Sequence, residues 1–217
     1  MSARRSVLDR VRAALADVDP AARDLVPPPA PQVEPVDPAA LLDRFVERVA
    51  DYRSVVERCS DADVAAAVTA AVLGHVGRAG RIVVPEGLPA DVVTSLEAAL
   101  AAVVVDRPGA ALSAYELDAL DGVVTTAAVG VAETGTLVLD HGPGQGRRAL
   151  SLVPDLHVCV VRAEQVVPDV ADALARLDPL RPATWVSGPS ATSDIELDRV
   201  EGVHGPRVLH VVVVDPA

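Results

Sequence analysis

Side chains able to do chemistry crowd into two short stretches of an otherwise aliphatic chain. The first, GVAETGT at 130–136, sets the carboxylate of Glu133 between two apolar runs and follows it with Thr134, Gly135 and Thr136. A carboxylate at a strand end can serve as general base, nucleophile or hydroxyl-binding group. The same residues also make an ordinary turn with a solvated glutamate. The second stretch, TWVSGPSATSDIELDRVEGVHGP at 184–206, offers the hydroxyls of Ser187, Ser190, Thr192 and Ser193, with Gly188 allowing backbone N–H groups close to a ligand. A helix starting near Asp194 would add the positive end of its dipole, a combination suited to phosphate or carboxylate. Ser193 and Glu196 have the S-x-x-E spacing of a capping box, so Glu196 reads as a cap and Asp194 stays open for chemistry. His204 and Gly205 stand in the corner GVHGP, where an imidazole can reach a ligand and titrate near neutrality, or lie idle on the surface. His210 alternates with valines and reads as a core or sheet-face histidine. The candidate catalytic residues are therefore Glu133, His204 and Asp194. The candidate ligand-binding residues are Thr134, Gly135, Thr136, Ser187, Gly188, Ser190, Thr192 and Gly205.

Several chemistries are disfavoured. His204 with Asp194 or Glu196 has no spacing characteristic of a metal site, so none is assigned. No G-x-S-x-G elbow, first-strand G-x-G-x-x-G or P-loop occurs, which lowers the odds of a serine hydrolase, a Rossmann dehydrogenase and a P-loop nucleotidase. All 19 basic residues are arginine, so Schiff-base lysine chemistry is excluded within the chain. The two cysteines, Cys59 and Cys159, form no C-x-x-C, leaving neither an iron–sulfur nor a structural zinc signature. Cys159 lies in the apolar run LHVCVV and reads as a buried thiol. A net charge of −12 argues against nucleic acid or an anionic membrane as main partner. The start, MSARRSVLDR, lacks the apolar core of a signal peptide, and no apolar run is long enough to span a bilayer, so a cytoplasmic location is expected.

The elements that must position these residues follow from periodicity. Residues 1–18 read as an amphipathic helical arm, with Val7, Leu8, Val11, Ala14, Leu15 and Val18 on one face. Residues 19–38 form a Pro-rich linker. The arm folds back on its own domain or docks on a partner subunit. Residues 39–217 form a single α/β domain: half the residues are hydrophobic, aromatics are only 2%, and the core must be aliphatic. Helices are predicted at about 38–51, from 60 to about 77 with Ser60 and Asp63 as caps, at about 89–100, and at about 113–119. Strands are predicted at about 54–59, 81–84 and 103–106, with two β-rich runs in 122–140. Strands at 156–161, 184–186 and 207–214 are expected to complete the sheet. Strand–helix–strand steps imply right-handed crossovers and a mostly parallel sheet flanked by helices on both faces. HGPGQGRR at 141–148 reads as a flexible loop. In such sheets ligands bind at the carboxyl ends of the strands, which is where the candidate pocket is expected.

The ordered segments AETGT (132–136), RALSLVPDLHVCVV (148–161), SGPSATSDIE (187–196) and GVHGP (202–206) resemble the lactate utilization protein C family, the LUD domain, over about residues 41–215. The resemblance implies a fold like that of CoA transferases, sugar-phosphate isomerases and formyltetrahydrofolate cyclo-ligase. It also implies a subunit of a system oxidising L-lactate to pyruvate beside two iron–sulfur partner proteins. The chain offers no cluster ligands of its own, so iron–sulfur clusters are expected in the partner subunits. In CoA transferases a glutamate attacks the acyl group, but the sequence around Glu133 does not match that motif. Three readings stay open: a subunit that binds a small anionic ligand, a non-catalytic assembly subunit for the iron–sulfur proteins, and an acyl or CoA transferase or ligase. A homo-oligomer is compatible with any of them.

Overall fold

The computed structural model describes residues 3–17, 37–192, 200–201 and 205–216; at 191, 192, 200 and 201 it describes the backbone alone. Six α-helices occur among them: α1 (Ala3–Ala14), α2 (Pro38–Asp51), α3 (Val64–Val76), α4 (Ala90–Ala99), α5 (Ala114–Asp118) and α6 (Val170–Arg176). The first strands are β1 (Val55–Cys59), β2 (Arg81–Pro85), β3 (Ala102–Asp106), β4 (Gly122–Thr126), β5 (Val129–Val131) and β6 (Thr136–Leu139). The remainder are β7 (Leu156–Arg162), β8 (Val166–Val167), β9 (Thr184–Val186), β10 (Ala191–Thr192), β11 (Val200–Glu201) and β12 (Val208–Val214). Residues 1–34 and 35–217 are separate compact units. In the first, α1 is amphipathic as its periodicity predicts, yet Val7, Leu8, Val11 and Leu15 are all exposed.

The second unit is built on a six-stranded parallel sheet in the order β1-β12-β7-β4-β2-β3. Valine supplies half the residues of these strands because its branched side chain suits a pleated surface covered on both sides. Alternation along β12 sends Val212 and Val214 to the face covered by Val68, Val72, Val92 and Leu96 of α3 and α4. Val211 and Val213 go to the opposite face, under Leu42, Phe45 and Val49 of α2. Leu117 of α5 extends that second layer over Val83 and Val123. Helix α2 starts where the sequence predicts: the Asp37 side chain accepts from the Ala39 amide, and Pro38 occupies the first turn. Ser60 does not cap backbone; its hydroxyl donates to the Asp63 carboxylate at 2.6 Å.

The β-rich run after Gly122 serves two sheets. Strand β4 belongs to the parallel sheet, whereas β5 and β6 form a hairpin in a four-stranded sheet ordered β8-β5-β6-β9. The break falls at Ala127 and Ala128, whose carbonyls accept from the Gln165 side chain. Strand β9, expected in the parallel sheet, instead pairs antiparallel with β6 at the edge of the small sheet. Its brevity and half-exposed Trp185 suit an edge strand.

Candidate functional site

The small sheet is what brings the two polar stretches together. Leu137 of β6 lies opposite Val186 of β9, so Thr136 and Ser187 meet at the same end of the hairpin. Their hydroxyl oxygens are 2.8 Å apart, and those of Thr134 and Thr136 are 2.7 Å apart. Each hydroxyl has one proton, so the row of three is polarised. When Thr134 donates to Thr136 and Thr136 to Ser187, the Ser187 O–H is left to donate outward. An anion beside Ser187 selects that direction.

Both turns are pressed onto the end of α2. Gly135 has φ +58°, and a Cβ there would lie 2.5 Å from the Arg48 carbonyl carbon. Gly188 has φ +79°, and its Cβ would lie 2.6 Å from that of Tyr52. Glycine is needed at both positions, for backbone conformation and for space.

A cavity of about 470 Å³ opens beside Ser187, Gly188, Ser190 and Gly205, with Arg148, Ser151 and Trp185 in its wall. The Ser190 amide donates to the Pro206 carbonyl at 2.8 Å and joins the SGPS turn to the corner before β12. Ser151 is buried and donates to the Arg148 carbonyl. The Arg148 guanidinium has no carboxylate partner among the described residues. Hydroxyl donors beside an unpaired guanidinium suit a small carboxylate or phosphate.

Of the residues singled out from sequence, Ser187, Gly188, Ser190 and Gly205 line this cavity; Thr134 and Thr136 support Ser187, and Gly135 fixes their turn. Glu133 is exposed; its amide donates to the Pro168 carbonyl, and it does not line the cavity. Asp194 and His204 lie outside the described residues, as does the Thr192 side chain. Arg148, Ser151 and Trp185 were missed, although Arg148 opens the RALSLVPDLH segment. The cavity adjoins the residues that precede β7 and β12, the amino-terminal edge of the parallel sheet and not its carboxyl edge. The cause is β9, which leaves the parallel sheet and carries the SGPS turn with it.

The loop at 141–148, expected to be flexible, is held by its own side chains. Gln145 is buried and accepts from the Asp140 amide at 2.6 Å, while Asp140 accepts from the Gly142 amide. His141, at φ +60°, donates from Nδ1 to the Gly146 carbonyl, and its Nε2 lies within hydrogen-bond reach of the Thr184 hydroxyl at 3.2 Å.

Residues 114–214 match the family model described as the LUD domain. A lactate utilization protein C from Deinococcus radiodurans is 46% identical over 191 residues, covering 86% of this chain and 85% of the relative. The chain belongs to the LUD-domain, lactate utilization protein C family. A lactate utilization protein C from Halalkalibacterium halodurans is 36% identical over 42% of the chain and 44% of its own length. Among solved structures, a DUF162 family protein from Deinococcus radiodurans superposes with a TM-score of 0.65 at 40% identity, covering 83% of this chain and 99% of that one. The LUD-domain match contains every candidate site residue, from Glu133 to Gly205, together with the loop at 141–148. No described helix is long and apolar enough to cross a membrane.

Proposed function

We propose that this LUD-domain chain serves lactate utilization as a cytoplasmic subunit of a system that oxidises L-lactate to pyruvate. The observation that carries this reading is the 46% identity to a lactate utilization protein C across 86% of the chain. The cavity beside Ser187 would hold the small anionic ligand. Arg148 supplies the cation, and the Thr134–Thr136–Ser187 row supplies an outward hydroxyl donor. Electrons taken from lactate would pass to two iron–sulfur partner proteins, since neither cysteine of this chain stands in a cluster motif. Trp185 is the one tryptophan of the chain and lines the cavity, so its fluorescence reports occupancy. Titration with pyruvate and L-lactate is expected to change that emission, and Arg148→Gln to weaken binding at least about tenfold, the worth of one charge-assisted hydrogen bond. Normal growth on L-lactate after deletion of the gene, in a strain without a second copy, would contradict the pathway assignment.

A second reading, an assembly subunit that docks the iron–sulfur proteins, is favoured by the exposed apolar face of α1. It is tested by removing residues 1–37. Loss of co-purifying partners, with Arg148→Gln harmless to lactate oxidation, selects assembly over a working site.

A further inference from the structure

We propose that this protein has a second binding site, a cleft at the carboxyl ends of β2 and β3 that takes a phosphate-bearing small molecule of nucleotide size, with Arg107 as its principal cation. Sheet topology points there first. The connection leaving β2 runs outward to β3, whereas the path leaving β4 runs the other way to β7, and β2 and β4 are neighbours. Adjacent strands with oppositely directed connections mark the switch point of an open parallel sheet, where a crevice forms outside the carboxyl ends. The cleft measures about 530 Å³, within the range of small-molecule sites. Glu86 and Gly87 follow β2 into it, Asp106 and Arg107 close β3, and His141 and Arg147 enter from the loop at 141–148.

The floor of the cleft is built and rigid. The Asp106 side chain, 5% exposed, receives Nε and Nη2 of Arg147, each at 3.0 Å, and the Leu112 amide at 2.8 Å. Arg181, also in the wall, pairs with Asp140 at 3.1 Å. Two of the three lining arginines are thereby neutralised. Arg107 is left with no carboxylate partner among the described residues, in a chain where acids outnumber bases 31 to 19.

The backbone adds donors. Gly87 (φ +88°) and Gly144 (φ +75°) let the turn after β2 meet the loop: the Gly144 amide donates to the Glu86 carbonyl at 3.0 Å, and the Thr126 amide to the Gly144 carbonyl at 2.8 Å. Among the described residues, the amides of Gly87, Gly146 and Arg147 donate to no protein acceptor. Open amides in such turns beside a guanidinium are the usual means of holding a multi-oxygen anion. Pro108, Ala111 and Pro143 offer apolar contact to the body of a larger ligand, and the Glu86 carboxylate can accept from its hydroxyl or amine.

Calorimetry of the full chain with inorganic pyrophosphate and with ADP tests this site independently of the lactate reading. Both probes are expected to bind, ADP the tighter. Arg107→Gln, which changes an exposed side chain, should keep the wild-type melting temperature and weaken both at least about tenfold. Arg78→Gln, an equal loss of surface charge elsewhere, should leave binding intact. Absence of binding, or equal weakening by the two substitutions, would overturn the site. So would pyrophosphate that alters Trp185 emission and is displaced by pyruvate, since the anion would then occupy the cavity beside Ser187. Equal affinity for the two probes would overturn a nucleotide-sized body.

Discussion

Thr125 shares one hydroxyl between two buried neighbours, His157 Nε2 at 2.8 Å and Cys159 Sγ at 3.6 Å. Burial pushes the Cys159 thiol up to about 12, so it stays protonated and inert, as expected from the apolar run in which it sits. The same burial pushes His157 down to about 4, and its Nδ1 has no partner among the described residues. The fold accepts only the neutral ring. Below its ordinary value of 6.5, the unfolded chain takes a proton that the folded chain refuses until about 4, so stability falls as pH drops through that window. The His157 share of the loss between pH 7 and pH 5 is about 2 kcal/mol. Urea unfolding at both pH values should show it in the wild type and lose that share in His157→Asn. His210 is also held low, by burial and then by His75, and adds slope of the same sign in both proteins. The sequence marked His210 as interior but gave no sign of His157, because a single histidine in LHVCVV carries no record of which strands flank it. The register does: Val123 lies opposite His157, and Thr125 opposite Cys159.

Among the elements, α2 decides whether the candidate site exists. Its span, about 38–51, was legible in the sequence; its buried face at Leu42, Phe45 and Val49 and its Asp37 cap came with the structure. What the sequence did not reveal is that both polar turns rest on its far end. Gly135 packs against the Arg48–Val49 backbone and Gly188 against Tyr52. A methyl group at Gly135 would meet main-chain atoms that cannot rotate away, on a backbone conformation unfavourable to alanine. Gly135→Ala is therefore expected to cost about 2–3 kcal/mol in urea unfolding and to blunt the response of Trp185 to pyruvate. Leu96→Ala in α4, on the far side of the sheet, should lower stability without that selective loss of the ligand response. Strand β9 teaches a related point. TWV could be recognised as a strand, but three residues do not specify a partner, and the antiparallel pairing with β6 displaced the cavity from the carboxyl edge to the amino edge of the parallel sheet.

At the scale of the whole molecule, the chain divides into two compact units whose boundary, Glu34–Pro35, falls inside the Pro-rich stretch. Since each unit is compact by itself, a chain beginning at residue 38 should melt within about 2 °C of the full chain, well inside the shift that 1 kcal/mol would cause in a domain of this size. Under the assembly reading it should also lose its partners in co-purification; a large fall in melting temperature would instead show that the body depends on the arm. The sequence by itself determined the aliphatic α/β class, the helix starts, the buried thiol and the polar turns, because these depend on local periodicity, caps and composition. Tertiary structure alone decided that Thr136 and Ser187, 51 residues apart, share a hydrogen bond, and that Arg107 has no carboxylate partner among the described residues while Arg147 and Arg181 are neutralised. Those facts depend on strand order and register, set by which faces bury together and not by any one segment.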